Sequence, residues 1–369
     1  MPVFRPTASS IWSSFQTSGK RHLLLTGRRG IGKTTLLSRL FPQPLPGITT
    51  WAEPYQAVYM RDNLTSETAK IAQYDPTIQG TEAKMVLLGN VMGESGGSWL
   101  MACLAQPGEW VSIDEIGFLE ETCPEFQSAI RRLMEKKRVA AVLRKADLPF
   151  LNELRTRDDV FLVDLDQPFG NSGCVILASG EGRRFGSNKL MADFLGQPMI
   201  TRILDATEQL FSRRVVVTRH QAVAKLCAEK NIPVILHDLP HRSDTVRLGL
   251  EAMGDADRCM FCPGDQPLLS RDTIAALLLS AAGDPESIWR PSHGGTPGAP
   301  VLFPRWAFDE LLTLPEGKGG GFLAKRYPHR CRMTEVSDSN ELADADTPEI
   351  LEQLRQYASK NEDFHNILE

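Results

Sequence analysis

Cysteine is scarce in this 369-residue chain: seven residues, an odd count at scattered positions. That pattern excludes a disulfide framework and predicts reduced thiols. Cys259 and Cys262 form one C-x-x-C, but no second pair stands at zinc spacing. They are read as buried residues at a strand end. No run of 18 apolar residues occurs, so no membrane-spanning helix is expected. The opening Met1-Pro-Val-Phe-Arg-Pro lacks the charge-then-apolar order of a signal peptide, and a cytoplasmic protein is the expectation. An excess of positive charge is missing too. Lys plus Arg number 41 against 46 Asp plus Glu, a net charge of −5. This balance argues against nucleic acid and against anionic membrane as partners, while leaving room for a local basic loop that binds a small phosphorylated ligand.

What is present is an ordinary globular composition, 42% hydrophobic and 24% charged. The length predicts two domains. Short apolar runs alternate with helical patterns throughout, which predicts α/β domains on mostly parallel sheets. One series closes at Val160-Phe-Leu-Val-Asp164, a turn-rich stretch from Asp166 to Gly173 follows, and Cys174-Val-Ile-Leu-Ala178 opens a new strand. The expected domains are residues 1–168 and 172–369. The tail from Ser359 reads as frayed or as a short helix.

In the first half, Gly27-Arg-Arg-Gly30-Ile-Gly32-Lys33-Thr34 fits G-x-x-x-x-G-K-[ST], with an apolar strand before it and a helical run from Thr35 after it. Glycines let backbone N–H groups turn toward one point, and the helix start adds positive potential there. The triphosphate of ATP or another NTP is expected on Gly27, Gly30, Gly32, Lys33, Thr34 and Thr35, with Lys33 at the β/γ-phosphates and the Thr34 hydroxyl on Mg²⁺. Trp110-Val-Ser-Ile-Asp114-Glu115 is a strand ending in two acids. Neighbours in a strand face opposite ways, so Asp114 is assigned to the metal and Glu115 to the attacking water. Arg144-Lys145 ends another apolar run, and is either a cation for the γ-phosphate or a solvated strand end.

Asp114-Glu-Ile-Gly-Phe-Leu-Glu120, with Phe126 beyond it, resembles the small nucleoside-triphosphatases of thermophiles. Gly47-Ile-Thr-Thr-Trp51 is loosely similar to that family's hairpin. The resemblance spans about residues 20 to 165 and implies a compact P-loop fold that hydrolyses NTPs with broad base tolerance. Residues 55 to 105 match nothing in it.

In the second half, the strand ending at Leu177-Ala178 runs into Ser179-Gly180-Glu-Gly182-Arg-Arg184-Phe-Gly186-Ser-Asn-Lys189. This is neither a P-loop nor a dinucleotide fingerprint. Its glycines permit close backbone approach to phosphates, and Arg184 and Lys189 add charge around a triphosphate. Phe261-Cys-Pro-Gly-Asp265 is a strand ending in an acid suited to Mg²⁺ at an α-phosphate. Downstream, Asp344-Ala-Asp346 places two acids at i and i+2, a spacing that converges if the segment is extended. Alternatively Asp346 caps the helix expected from Thr347-Pro348-Glu349.

Four motifs in order, L-A-x-G-x-G-x-R-F-G-x-x-K, C-P-G-D-Q-P, Gly298-Ala-Pro-Val-Leu-Phe303 and D-x-D-T-P-E, resemble the MobA-like nucleotidyltransferases across nearly all of residues 173 to 355. The pattern is most similar to molybdenum-cofactor cytidylyltransferases, with Ser179 where guanylyl-transferring members have Gly. The resemblance implies a Rossmann-like fold. It places CTP on Leu177, Ala178, Gly180, Gly182, Arg184 and Lys189, and Mg²⁺ on Asp265 with Asp344 or Asp346. Transfer would go to a molybdopterin-type cofactor, with a molybdenum hydroxylase as the eventual partner. Ser243, in His241-Arg-Ser-Asp-Thr245, falls in an element that contacts nucleotide in that family; the plain reading is a helix cap. The glycine-rich Gly317–Gly321 reads as a loop that closes over the acceptor, or as a flexible turn. The catalytic set is therefore Lys33, Glu115, Arg184, Lys189 and Asp265. Three alternatives stand beside cytidylyl transfer: guanylyl or other transfer to a different phosphorylated acceptor, a non-catalytic cofactor chaperone with an NTPase switch, and a P-loop kinase.

Overall fold

The computed structural model describes residues 5–78, 84–180, 182, 184–186 and 188–366, with side chains to 360. Contacts divide it into two compact units, Thr7–Pro168 and the chain from Phe169 onward. Among the described residues no helix is long and apolar enough to cross a membrane.

The first unit holds eight strands: β1 His22–Thr26, β2 Gly47–Glu53, β3 Ala57–Asp62, β4 Thr68–Tyr74, β5 Met85–Leu87, β6 Trp110–Ile116, β7 Arg138–Leu143 and β8 Val160–Asp164. They form one sheet in the order β5-β4-β3-β2-β6-β7-β1-β8. All five residues of β1 are buried, as expected of a central parallel strand covered on both faces. The five strands from β2 to β8 in that order are parallel, and β3, β4 and β5 extend them as an antiparallel meander. This meander falls in the stretch that the sequence left unmatched. Gly47 makes the join to β6 possible. Its φ is 138°, and a Cβ there would lie 1.9 Å from the Ser112 carbonyl oxygen. The helix Pro124–Lys136 buries Phe126, Ile130, Leu133 and Met134 against the sheet, a spacing that follows the helical period.

The second unit carries β9 Ser172–Ala178, β10 Asp193–Phe194, β11 Gln197–Pro198, β12 Arg213–Thr218, β13 Val234–Leu236, β14 Arg258–Pro263, β15 Ile288–His293, β16 Thr296–Pro297, β17 Val301–Pro304 and β18 Cys331–Glu335. The main sheet runs β13-β12-β9-β14-β17-β15-β16, with β18 also on β15; β10 and β11 form a separate ribbon. β9 and β14 are parallel neighbours, with Leu177 opposite Pro263, so the glycine-rich loop and Asp265 leave the sheet at the same edge. Open parallel sheets bind ligands at that carboxyl edge. Cys174, Cys259 and Cys262 are fully buried in these two strands, with the Cys174 and Cys262 sulfurs 3.8 Å apart.

Three local expectations are corrected. Thr347, not Asp346, caps the last helix, its Oγ1 accepting from Ile350 N–H at 3.3 Å. That helix is long, Pro348–Asn366, so the tail continues it instead of fraying from Ser359; residues 367–369 lie outside the described residues. Ser243 is no cap. The helix Arg242–Glu251 starts at His241, whose N–H donates to the Asp244 carboxylate at 3.1 Å.

Candidate functional site

In the first unit β1 ends, the chain turns through Gly30 (φ 77°) and Gly32 (φ 95°), and the helix Lys33–Leu40 begins. Those left-handed angles suit glycine and turn the loop back on itself. The buried Lys33 Nζ donates to the carbonyls of Gly27 at 2.8 Å and Arg28 at 3.1 Å. Thr34 Oγ1 donates to Asp114 Oδ1 at 3.1 Å. Burial, partly offset by that bond, lifts the Asp114 carboxyl above its ordinary range. Glu115 pairs instead with Arg144 at 3.2 Å, so the adjacent acids do take different partners.

A cavity of about 820 Å³ lies here, its phosphate end lined by Gly30, Gly32, Lys33, Thr34, Glu115 and Arg144. Thr35 and Glu120 line it too, while Gly27 and Asp114 sit just behind the wall. Lys145 turns away to Asp164 at 2.8 Å and Asp166 at 3.0 Å, so of the two adjacent cations only Arg144 faces the cavity. Glu120 had no assigned role in the sequence. It is buried and accepts the Gly117 N–H at 2.7 Å, and burial pushes its carboxyl up to about 7.

In the second unit Lys189 is held between two acids, with Nζ 2.5 Å from Asp265 and 3.0 Å from Asp346. Arg184 reaches the other oxygen of Asp346 at 2.5 Å. Burial pulls the Lys189 ammonium down, but the two carboxylates outweigh it and hold it above its usual value. Burial likewise opposes ionisation of Asp346, and Lys189 with Arg184 keeps it low. Asp344 differs: burial first, then the Asp265 charge, raises it to about 6. The expected extended geometry of Asp344 and Asp346 is broken, because Asp346 N–H donates to Asp344 carbonyl at 2.9 Å. Asp344 therefore lines the cavity, while Asp346 serves the two cations from outside it.

That cavity, of about 570 Å³, also takes Leu177, Ser179, Gly180, Lys189 and Asp265 into its wall. Gly182 and Arg184 lie outside it, as does Ala178, whose side chain is buried within β9. Ser243 is absent from the wall because the helix presents Arg242 and Thr245 there instead. Gly317 and Gly319–Gly321 contribute, as do Arg219 and Arg290, which the sequence did not single out. Ser179 Oγ donates to the Val217 carbonyl at 3.1 Å and so accepts from His237 Nε2 at 2.8 Å. Burial lowers the His237 pKa, which keeps the ring neutral near neutral pH. Nothing in the local pattern marks His237, because its partner is 58 residues away.

Both sites suit a hard divalent cation. One offers a hydroxyl touching a carboxylate; the other offers two acids, Asp265 and Asp344, in a cavity wall. Among the described residues no three His, Cys, Asp or Glu gather closely enough to hold a metal alone.

Comparison with known proteins agrees with this division. Residues 90–169 match the NTPase family and residues 174–331 the MobA-like NTP transferase domain. The chain is 30% identical over 201 residues to Purine catabolism protein PucB of Bacillus subtilis, covering 50% of this chain and 96% of PucB. It is 26% identical over 161 residues to Nucleoside-triphosphatase THEP1 of Thermotoga sp. (strain RQ2), covering 41% and 89%. It is 24% identical over 106 residues to a probable molybdenum cofactor guanylyltransferase of Aquifex aeolicus, covering 28% and 51%. The chain spans only 34–38% of the length of the first curated relatives it matches.

Proposed function

Because the chain belongs, over residues 174–331, to the MobA-like NTP transferase family and carries an NTPase domain ahead of it, we propose that it is a two-site enzyme acting on nucleotides. The second site transfers a cytidylyl group from CTP to a molybdopterin-type cofactor, in preparation for a molybdenum hydroxylase. The first site hydrolyses an NTP. The observation that carries the transfer reading is Lys189 clamped by Asp265 and Asp346 beside Asp344 at the cavity wall.

The chemistry follows from charge. A terminal phosphate oxygen of the acceptor attacks the α-phosphorus of CTP, the bond to the β-phosphate oxygen breaks, and pyrophosphate leaves. The attacking phosphate is already ionised, so no strong base is required. Lys189 and Arg184 neutralise the departing pyrophosphate, and Gly180 lets the backbone approach the triphosphate. Asp265 and Asp344 would hold Mg²⁺, which supplies charge neutralisation at the α-phosphate. Ser179, fixed by His237, fills space that a glycine would leave open, which supports cytosine over guanine.

At the first site, Lys33 exchanges its loop carbonyls for the β/γ-phosphates. Thr34 and Asp114 would hold Mg²⁺, and Glu115, held by Arg144, orients the attacking water. Cytoplasmic location fits both substrates.

Pyrophosphate and phosphate release, measured over four NTPs with and without molybdopterin, tests the reading. Asp265→Asn should lower pyrophosphate release about 100-fold or more while phosphate release persists, and Lys33→Ala should do the reverse. Transfer to another phosphorylated acceptor would release pyrophosphate only when that acceptor is supplied in place of molybdopterin. A chaperone would release no pyrophosphate with any NTP. A kinase would put phosphate on an acceptor instead of into solution.

A further inference from the structure

The cavity beside the P-loop is large enough for a whole nucleotide, and the wall facing the loop is aromatic. Thr49 on β2 stands in register with Asp114, and Trp51 lies two residues further, about 7 Å along the strand. Trp51, Pro54, Tyr55 and Tyr74 line the same cavity as Lys33 and Thr34. Trp51 lies flat on Tyr59, with centroids 5.5 Å apart and planes at 17°. Tyr59 is not part of the wall, so it backs the indole. Tyr55 meets Tyr74 edge-on at 5.6 Å and 87°. Both leading rings are open to solvent, Trp51 at 38% and Tyr55 at 79% of their surface.

Tyr55 carries a second signal. Its φ is 59°, a left-handed conformation that costs a bulky residue and suits Gly or Asn. The contact with Tyr74 covers little of it, since most of the residue faces water.

We propose that Trp51 and Tyr55 form a nucleobase platform for the P-loop site, their rings stacking on the face of the base. Stacking on ring faces is indifferent to which base supplies the face. The inference rests on the reading of this site as an NTP site and adds where the base lies.

The test uses the full chain and steady-state hydrolysis of ATP, GTP, CTP and UTP, with inorganic tripolyphosphate as a base-free competitive inhibitor. Trp51→Ala should raise KM for all four nucleotides by similar factors, about 5- to 150-fold, with much smaller changes in kcat and in the tripolyphosphate Ki. Trp51→Phe should recover most of the loss. Tyr55→Asn should raise KM while the melting temperature holds or increases, because Asn tolerates the left-handed backbone; a purely structural tyrosine would not separate the two. Unchanged nucleotide KM in both variants would overturn the platform, as would a Ki for tripolyphosphate weakened in parallel or an effect confined to one base. If Lys33→Ala leaves hydrolysis intact, the NTP-site reading fails and takes the platform with it. If Lys33→Ala abolishes hydrolysis while Trp51→Ala leaves KM in place, the platform alone is wrong.

Discussion

Replacing Lys189 with methionine keeps a side chain of similar length and removes the charge. The Lys189 side chain is only 10% exposed, and its partners Asp265 and Asp346 are 21% and 36% exposed. Removing one member of a buried ion pair costs roughly 3–5 kcal/mol, because the remaining charge is left uncompensated. Here Asp346 keeps Arg184 and partial solvent, so about 2–3 kcal/mol is a fairer figure. For a unit of this size that corresponds to a fall of about 4–12 °C in the melting temperature of the second transition. Scanning calorimetry in chelator, fitted as two transitions, measures it. Millimolar Mg²⁺ should restore part of the loss, because a cation bound among the freed carboxylates stabilises the folded unit alone. Acidification should restore part of it too. Asp344 already titrates near 6, and losing the nearby ammonium raises it further, so its proton is held more readily in the folded state. A fall below about 1 °C in chelator, or an identical deficit with and without Mg²⁺, would refute the picture of a lysine neutralising a metal-ready acid cluster.

Glu120 gives a pH signature in the first unit. Its folded carboxyl stands at about 7 against an ordinary 4.5, so between those values the folded state holds a proton that the unfolded state releases. Its contribution to stability therefore declines as pH rises through that window, by up to about 3 kcal/mol. Glu120→Gln should flatten the slope of the urea midpoint from pH 5 to 8, and an unaltered slope would show that Glu120 is not the group. Ser179→Gly removes the hydroxyl that His237 holds against the cavity wall. It should shift kcat/KM toward GTP relative to CTP by about tenfold, within the 1–3 kcal/mol that one pocket contact is worth. No change in the pyrophosphate-release ratio would exclude Ser179 from base choice.

Contiguous features were legible in the sequence. The P-loop is a short run whose strand, turn and helix are all local, and Lys33, Thr34 and Thr35 line one cavity as that run implies. Lys189 and Asp265 were readable because β9 and β14 are adjacent parallel strands that deliver both to one edge. What depends on distant packing was not readable. The pairing of Asp344 and Asp346 was misjudged because a backbone bond between them breaks the extended run. A cap at Ser243 fails because the helix is capped two residues earlier, where Asp244 reaches back to His241. Glu120 sits inside a quoted motif, yet its raised carboxyl pKa comes from burial, which no local spacing reveals. Lys145 and Arg144 looked equivalent until Asp164 and Asp166 claimed one of them.

The margins of the two sheets have a consequence for how each half assembles. The first ends on β5, three residues long, at one side and on the five-residue β8 at the other; the second ends on β13, three residues, and on β16, two residues that include Pro297, with the five-residue β18 also open beyond β15. A strand from another copy would find few free amides and carbonyls along β5, β13 and β16, and more along β8 and β18. Short, proline-bearing edges are how β-rich proteins discourage recruitment of stray chain. The exposed backbone of β8 and β18 is therefore where each unit, while still assembling, is most open to pairing with stray chain.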